Sequence, residues 1–251
     1  MLTPYDFQEN LQQRAQYIRN RLQAGSPVVG LSYDNGVMLV SVRRRGRKVF
    51  EIYDRLIFAG IGNQSDVETM RIAAVDFTHQ EGFIRSPDDV TIQRVVGFAL
   101  SPALKKAFGD PFTAPFVFRG LFAELGATPE QDLFYLLNYD GEFLQANNYA
   151  VLAGTNLAEE NALDYLESQI SGVPSFESAV PIALTAWGIA QHSATQEETE
   201  SVSETTARTT LREALGDGTV EIGLLERETL RENRFRLVST EQLEPLLRRL
   251  G

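Results

Sequence analysis

Two apolar runs without alternation set the terms for this chain. Val37-Met38-Leu39-Val40 and Leu56-Ile57-Phe58-Ala59 are each unbroken by a polar residue. Side chains on a strand point alternately to opposite faces, so such a run is stable only where both faces are covered. Val28 to Tyr33 and the turn residues Asp34-Asn35-Gly36 come before the first run. Asn-Gly tolerates positive φ at both central positions of a tight hairpin, so 28–33 and 37–42 are expected to be adjacent antiparallel strands. An antiparallel sheet buried on both sides needs a layer on each, for instance a second sheet on one face and helices on the other. The pattern predicts an α+β fold, a four-layer αββα sandwich of two antiparallel sheets flanked by helices, with an additional helix at the N-terminus.

That leading helix is legible in its capping chemistry. Thr3 suits the N-cap, Pro4 the first helical position and Asp6 the positive end of the helix dipole. Phe7, Leu11, Ile18 and Leu22 then recur at helical spacing until Gly25. A stripe so narrow packs either on the chain's own body or on a neighbouring subunit. Further on, Ser65-Asp66-Val67-Glu68 has the form of a capping box, for a helix to about Gln80 that ends near Gly82. Ser86-Pro87 begins another, which Pro102 should end or kink.

Residues 116–125, 133–138 and 149–153 are rich in aromatic and aliphatic groups, with Asp140-Gly141 as a turn, and are expected to form the second sheet. Helices follow over 157–170 and 175–191, the latter holding Trp187 and an internal Pro181. From His192 to Thr210 the chain is rich in Ser, Thr and Glu, the composition of a mobile loop or a helix extended into solvent. Residues 220–225 and 235–238 read as a closing hairpin, and Ser239-Thr240 caps a last helix that buries Leu243, Leu246 and Leu247. The expected organisation is one domain over 1–251: a helix at 3–25, the sandwich at 26–191, a polar insertion at 192–218, and the closing hairpin and helix at 219–251.

Composition excludes several functions. With 43% hydrophobic and 23% charged residues the chain is globular. No apolar run approaches a membrane span, and the opening residues, which include Asp6 and Glu9, do not read as a signal peptide, so a cytoplasmic location is expected. The absence of cysteine removes thiol nucleophiles, disulfides and thiolate metal sites together. A net charge of −11 argues against nucleic acid. The basic cluster Arg43-Arg44-Arg45-Gly46-Arg47-Lys48 has no aromatic platform beside it and reads as a solvated connection between strands. His79 and His192 stand apart, without partners at metal-ligand spacing. No glycine-rich phosphate loop follows a strand, so no cofactor is expected.

The series VVGLSY, DNG, VMLVSV and KVFEIYDRLIFAGIG, followed by a long helix, resembles the opening of a proteasome core-particle subunit, of the N-terminal-nucleophile hydrolase fold. A helix ahead of the first strand is similar to the α-type subunit, and K-x-x-E-x-Y-D-R over 48–55 resembles its bacterial, actinobacterial form. AVLAGTN, 150–156, resembles the family's strand, glycine turn and helix start. The likeness spans most of the chain and fades between His192 and Gly218.

This resemblance implies a homo-heptameric ring that templates proteasome β subunits and restricts substrate entry. It also implies that Phe7, Leu11, Ile18 and Leu22 lie at the contact between ring neighbours, and that Met1, Leu2, Thr3 and Pro4 belong to the gate, with a tail shorter than the family's. Lys48 matches the lysine with which α subunits grip the C-terminal carboxylate of an activating ATPase or other cap, and an ammonium is suited to that capture.

The same family contains self-processing peptidases, and Ser26 falls at or next to their nucleophile position. Against that reading, a capped helix precedes Ser26, and the family's carboxylate on the second strand is replaced by an apolar or basic residue around Val42 to Arg43. No catalytic residue is therefore expected in this chain, and peptide hydrolysis is expected of the β subunits.

Overall fold

The computed structural model describes residues 4–44, 46–196 and 202–248, without the side chains of Pro4 and Tyr5. The expected hairpin forms: β1 (Val28–Tyr33) pairs antiparallel with β2 (Gly36–Arg43). Its turn differs from the expectation. Tyr33 pairs with Gly36, which leaves Asp34 and Asn35 as the loop residues, and neither has positive φ. Only Gly36 does, at +154°, and a Cβ there would lie 1.9 Å from the Leu225 carbonyl oxygen. The glycine is required where the hairpin passes the neighbouring strand, not inside the turn.

Sheet A runs β10-β9-β2-β1-β8, built from β8 (Tyr149–Leu152), β9 (Thr219–Glu226) and β10 (Phe235–Leu237) around the hairpin. Sheet B runs β3-β4-β5-β6-β7, comprising β3 (Val49–Tyr53), β4 (Leu56–Gly62), β5 (Phe118–Glu124), β6 (Leu133–Leu137) and β7 (Phe143–Asn147). All pairings are antiparallel. Three buried clusters fill the three gaps of the four-layer sandwich: one between the sheets, one beneath the helices on sheet A and one beneath those on sheet B.

The first helix, α1 (Pro4–Leu22), closes one end of the gap between the sheets, where Ile18 and Leu22 join Val28, Ile61 and Leu152. On sheet B lies α2 (Gln64–Ile84), whose N-cap is Asn63, with Oδ1 accepting from the Ser65 amide at 3.1 Å. The S-x-x-E series therefore sits inside the helix, and Glu68 bonds Arg71 instead. Gly82 also lies within it, two residues before the end. Pro87–Asp89 is only a 3-10 turn; Thr91 then caps α3 (Ile92–Arg94).

Of the two outcomes expected at Pro102, an end or a kink, the helix does not end there. The chain widens into a π-helix at Val95–Leu100, with the Ser101 amide bonded to the Val96 carbonyl, before continuing as α4 (Ser101–Gly109). A wider turn relieves the clash that a proline ring makes with the carbonyl four residues back.

Sheet A carries α5 (Asn156–Gln169), α6 (Phe176–Ser193), α7 (Glu204–Ala214) and α8 (Thr240–Leu247). The polar stretch after His192 thus contains α7, which is docked and not extended into solvent. Ala207 and Leu211 are buried against α6, and a Cβ on Gly188 would come 2.3 Å from the Ala207 carbonyl oxygen. Few apolar residues make that packing, with Val202, Ala214 and Leu215 around Ala207 and Leu211, which is why composition gave no sign of it. The edge strand β7 was also unforeseen, and residues 149–153, expected in the second sheet, instead pair with β1 at the edge of sheet A.

A buried ion pair joins the sheets at the end away from α1. Arg227, just after β9, donates to both carboxylate oxygens of Asp132, just before β6, at 2.7 and 2.8 Å. Asp132 also accepts from the Gly126 amide at 2.9 Å, and the Arg227 amide donates to the Asn35 carbonyl at 2.7 Å. Burial pushes the Asp132 carboxyl pKa up against the pull of Arg227. Removing one partner strands the other charge, so Asp132→Ala is expected to cost about 3–5 kcal/mol by urea denaturation. Asp132→Ala/Arg227→Met should recover part of that loss, giving a non-additive double-mutant cycle.

Candidate functional site

Where α1 hands over to β1, a cavity of about 250 Å³ opens, bordered by Ser26, Arg44, Arg47, Lys48, Gln64 and Gln191. Lys48 lies one residue before β3 and donates from Nζ to the Ser26 carbonyl oxygen at 2.8 Å. Its backbone is fixed by Glu221, on β9 opposite Ser41. Glu221 Oε1 accepts from the amides of Lys48 at 2.9 Å and Val49 at 2.7 Å, and Oε2 meets Arg43 Nε at 2.9 Å. The carboxylate is thereby almost fully buried and still satisfied, as a buried charge must be. Burial lowers the Lys48 pKa from 10.5 to about 8, opposed by the nearby charge of Glu221.

Ser26 is placed beside this lysine, and its hydroxyl is engaged by the backbone. Its Oγ donates to the Val42 carbonyl at 2.7 Å and lies 3.4 Å from Ser41 Oγ. Ser41 Oγ and Trp187 Nε1 both donate to the Pro27 carbonyl, at 2.6 and 2.9 Å, which anchors the residue after Ser26. A carbonyl accepts a proton's hydrogen bond but does not take the proton, and the Ser26 nitrogen is tied in the peptide bond to Gly25. A serine nucleophile needs its hydroxyl turned to a base, and here that hydroxyl is turned to the Val42 carbonyl.

Of the four stripe residues on α1, the structure buries Ile18 and Leu22, at 0% and 1% exposure, in the chain's own core. Phe7 is 41% exposed and Leu11 partly so, leaving those two within reach of a neighbour. Between them and the core, Arg14 donates to the Ala107 and Thr113 carbonyls at 2.8 and 2.9 Å, clamping α1 to the C-terminal end of α4. Met1, Leu2 and Thr3 lie outside the described residues, and Pro4 is the first residue of α1.

The remaining candidates are occupied structurally. The His79 ring meets the Tyr53 ring edge-on at 5.4 Å, and His192 lies 3.3 Å from Thr210 Oγ1. A second cavity, about 560 Å³, is bordered by the end of α1 and the turn into α5. Its one deeply set cation, Arg119, is engaged by Asn138, Ala153 and Glu159 at 2.7, 2.9 and 2.7 Å. Among the described residues no helix is long and apolar enough to cross a membrane.

Sequence reading singled out Ser26 and Lys48 but missed Glu221. The signal was present: a lone carboxylate inside the apolar run Val220 to Leu225 must find partners.

Known proteins resemble this chain along its length. It is 34% identical over 181 residues to Proteasome subunit alpha of Actinosynnema mirum, covering 70% of this chain and 66% of that protein. To Proteasome subunit alpha of Thermomonospora curvata it is 31% identical over 161 residues, covering 62% and 68%. To that of Streptomyces scabiei it is 27% identical over 251 residues, covering 98% and 93%. No family model matches the chain.

Two outcomes follow from the site's electrostatics. Glu221→Gln removes the charge that supports the ammonium, so the Lys48 pKa, read by NMR of its Nζ, should fall below about 8. Between about 8 and 10.5 the unfolded chain binds more protons at Lys48 than the folded one, so stability relative to Lys48→Met should rise with pH across that window.

Proposed function

The chain belongs to the proteasome alpha-subunit family, which serves protein degradation, and from that membership we propose that it is a noncatalytic subunit of the outer ring of a core particle. In this reading seven copies form the ring, which templates a ring of β subunits, narrows the entrance with residues 1–4, and leaves peptide hydrolysis to the β partner in the cytoplasm. Phe7 and Leu11 on the free end of α1 would meet a ring neighbour. The Lys48 cavity would receive the C-terminal carboxylate of a ring-shaped ATPase or other cap.

One observation carries the noncatalytic reading: α1 stays packed through Ile18 and Leu22, while Ser26 Oγ donates to a carbonyl. The rival reading, a self-processing peptidase using Ser26, requires release of that segment and a free Ser26 amine. Intact mass separates the two. A mature chain beginning at Ser26 would establish the rival, and retention of α1 refutes it.

The carboxylate reading is supported by the ammonium at the cavity and by Arg44 and Arg47 beside it. Lys48→Ala should leave assembly with a co-expressed β subunit intact, while activation by a carboxylate-tailed cap weakens about tenfold or more, the value of a hydrogen bond to a charged group. Activation should also decline as pH rises through about 8, where the free ammonium loses its proton. Activation unchanged in both respects would refute the role of Lys48.

A further inference from the structure

The sequence holds three lysines, Lys48, Lys105 and Lys106, against twenty arginines. Lys105 and Lys106 are exposed on α4. Lys48 instead borders the cavity of about 250 Å³ at the junction of α1 and β1. Among the described residues its Nζ makes one hydrogen bond, to the Ser26 carbonyl at 2.8 Å, and no ion pair. Glu221, which fixes the Lys48 backbone, has both oxygens engaged elsewhere, Oε1 by two amides and Oε2 by Arg43. An ammonium without a directly paired anion in a partly buried site gives up its proton more readily than one in water. Near neutral pH a sizeable fraction of Lys48 is therefore free amine, with its pKa lowered to about 8, whereas a solvated lysine is almost wholly protonated.

The rest of the cavity suits an anion. Its other charged lining is positive, Arg44 and Arg47 from the connection between β2 and β3. Arg44 meets Asp217 in an exposed pair at 3.4 Å. Arg47 has no carboxylate partner among the described residues: its Nε donates to the Val49 carbonyl at 2.8 Å, and its guanidinium lies 5.4 and 5.3 Å from the Phe50 and Phe235 rings. The neighbouring helices α2 and α6 bring the neutral amides of Gln64 and Gln191. A free amine facing such donors matches a small electrophile that is neutral on entry and anionic once bound, and carbon dioxide has that chemistry.

We propose that Lys48 is a site of reversible carboxylation by carbon dioxide. The Nζ lone pair adds to the carbon, one C=O electron pair moves onto oxygen, and a proton leaves nitrogen for water. The product is a carbamate, so the side chain passes from cation to anion with no oxidant and no leaving group. Arg47 and the two glutamines are the cavity's donors to the new carboxylate. A carboxylated Lys48 fills the site with its own anion and repels an incoming one, so carbon dioxide opposes docking of a carboxylate-tailed cap. That consequence rests on the docking reading above; the carboxylation does not.

The test equilibrates the full chain with isotopically labelled carbon dioxide and bicarbonate, fixes carbamates as esters with a trialkyloxonium salt, and maps them by peptide mass spectrometry. Near neutral pH, Lys48 should carry at least about tenfold more adduct than Lys105 or Lys106. Its free-amine fraction exceeds theirs by about two orders of magnitude, and its lower basicity offsets part of that. At fixed dissolved carbon dioxide the Lys48 adduct should grow as pH rises toward about 8. The chain's α-amine, with an ordinary pKa of about 8, reacts under the same conditions and serves as the internal standard. Adduct on the α-amine with none on Lys48, or equal adduct on all three lysines, would overturn the proposal. Arg47→Gln should reduce the Lys48 adduct severalfold and leave the α-amine adduct unchanged. At constant pH, activation by a carboxylate-tailed cap should fall as the Lys48 adduct rises. Adduct on Lys48 with activation unmoved would overturn the docking reading and leave carboxylation standing. No adduct, with activation lost in Lys48→Ala, would do the reverse.

Discussion

Burial of Ile18 and Leu22 between the two sheets is the contact on which the candidate site depends. Each is an apolar side chain removed almost wholly from water, worth about 1.5–3 kcal/mol. Together they hold the last turn of α1 across the open end of the sandwich. That position sets the Ser26 carbonyl where Lys48 can donate to it, and leaves the other end of α1 projecting. Arg14 fixes the direction of that projection by capping carbonyls at the end of α4 and beyond.

A sandwich covered on both faces has few places to satisfy charge, and those it has sit at its ends and edges. Asp132 with Arg227 joins the sheets at one end. Glu221 serves two backbone amides and an arginine near the other. Each carboxylate immobilises backbone as well as balancing charge, so each determines where a neighbouring loop begins. For Lys48 the result is an amine held in a partly buried cavity by its backbone, with a depressed pKa and a side chain that still reaches the opening.

Legibility in the sequence followed the range of the interactions. The hairpin, the apolar runs of β2 and β4 and the cap at Ser239 were readable because a few adjacent residues decide them. The cap of α2 was misplaced because two cap signals, Asn63 and Ser65, stand two residues apart, and the approach of Val117 to Gly62 and Asn63 is not written locally. The docking of α7 was hidden because its apolar stripe is short and its close approach is allowed by Gly188 on another helix. The sequence places an end or kink at Pro102 but not the wider π-turn before it, because that turn depends on packing beneath the helix.

The sequence alone determined the layered architecture, the residue types available for chemistry and the acidic balance of the chain, since periodicity, composition and charge are properties of the string itself. Only the tertiary structure decided which end of the α1 stripe is core and which is surface, that the Ser26 hydroxyl donates to the Val42 carbonyl, and that Glu221 organises Lys48. The reason is physical: burial and hydrogen-bond partnership are set by residues far apart in the chain, and no local pattern records which of them will meet.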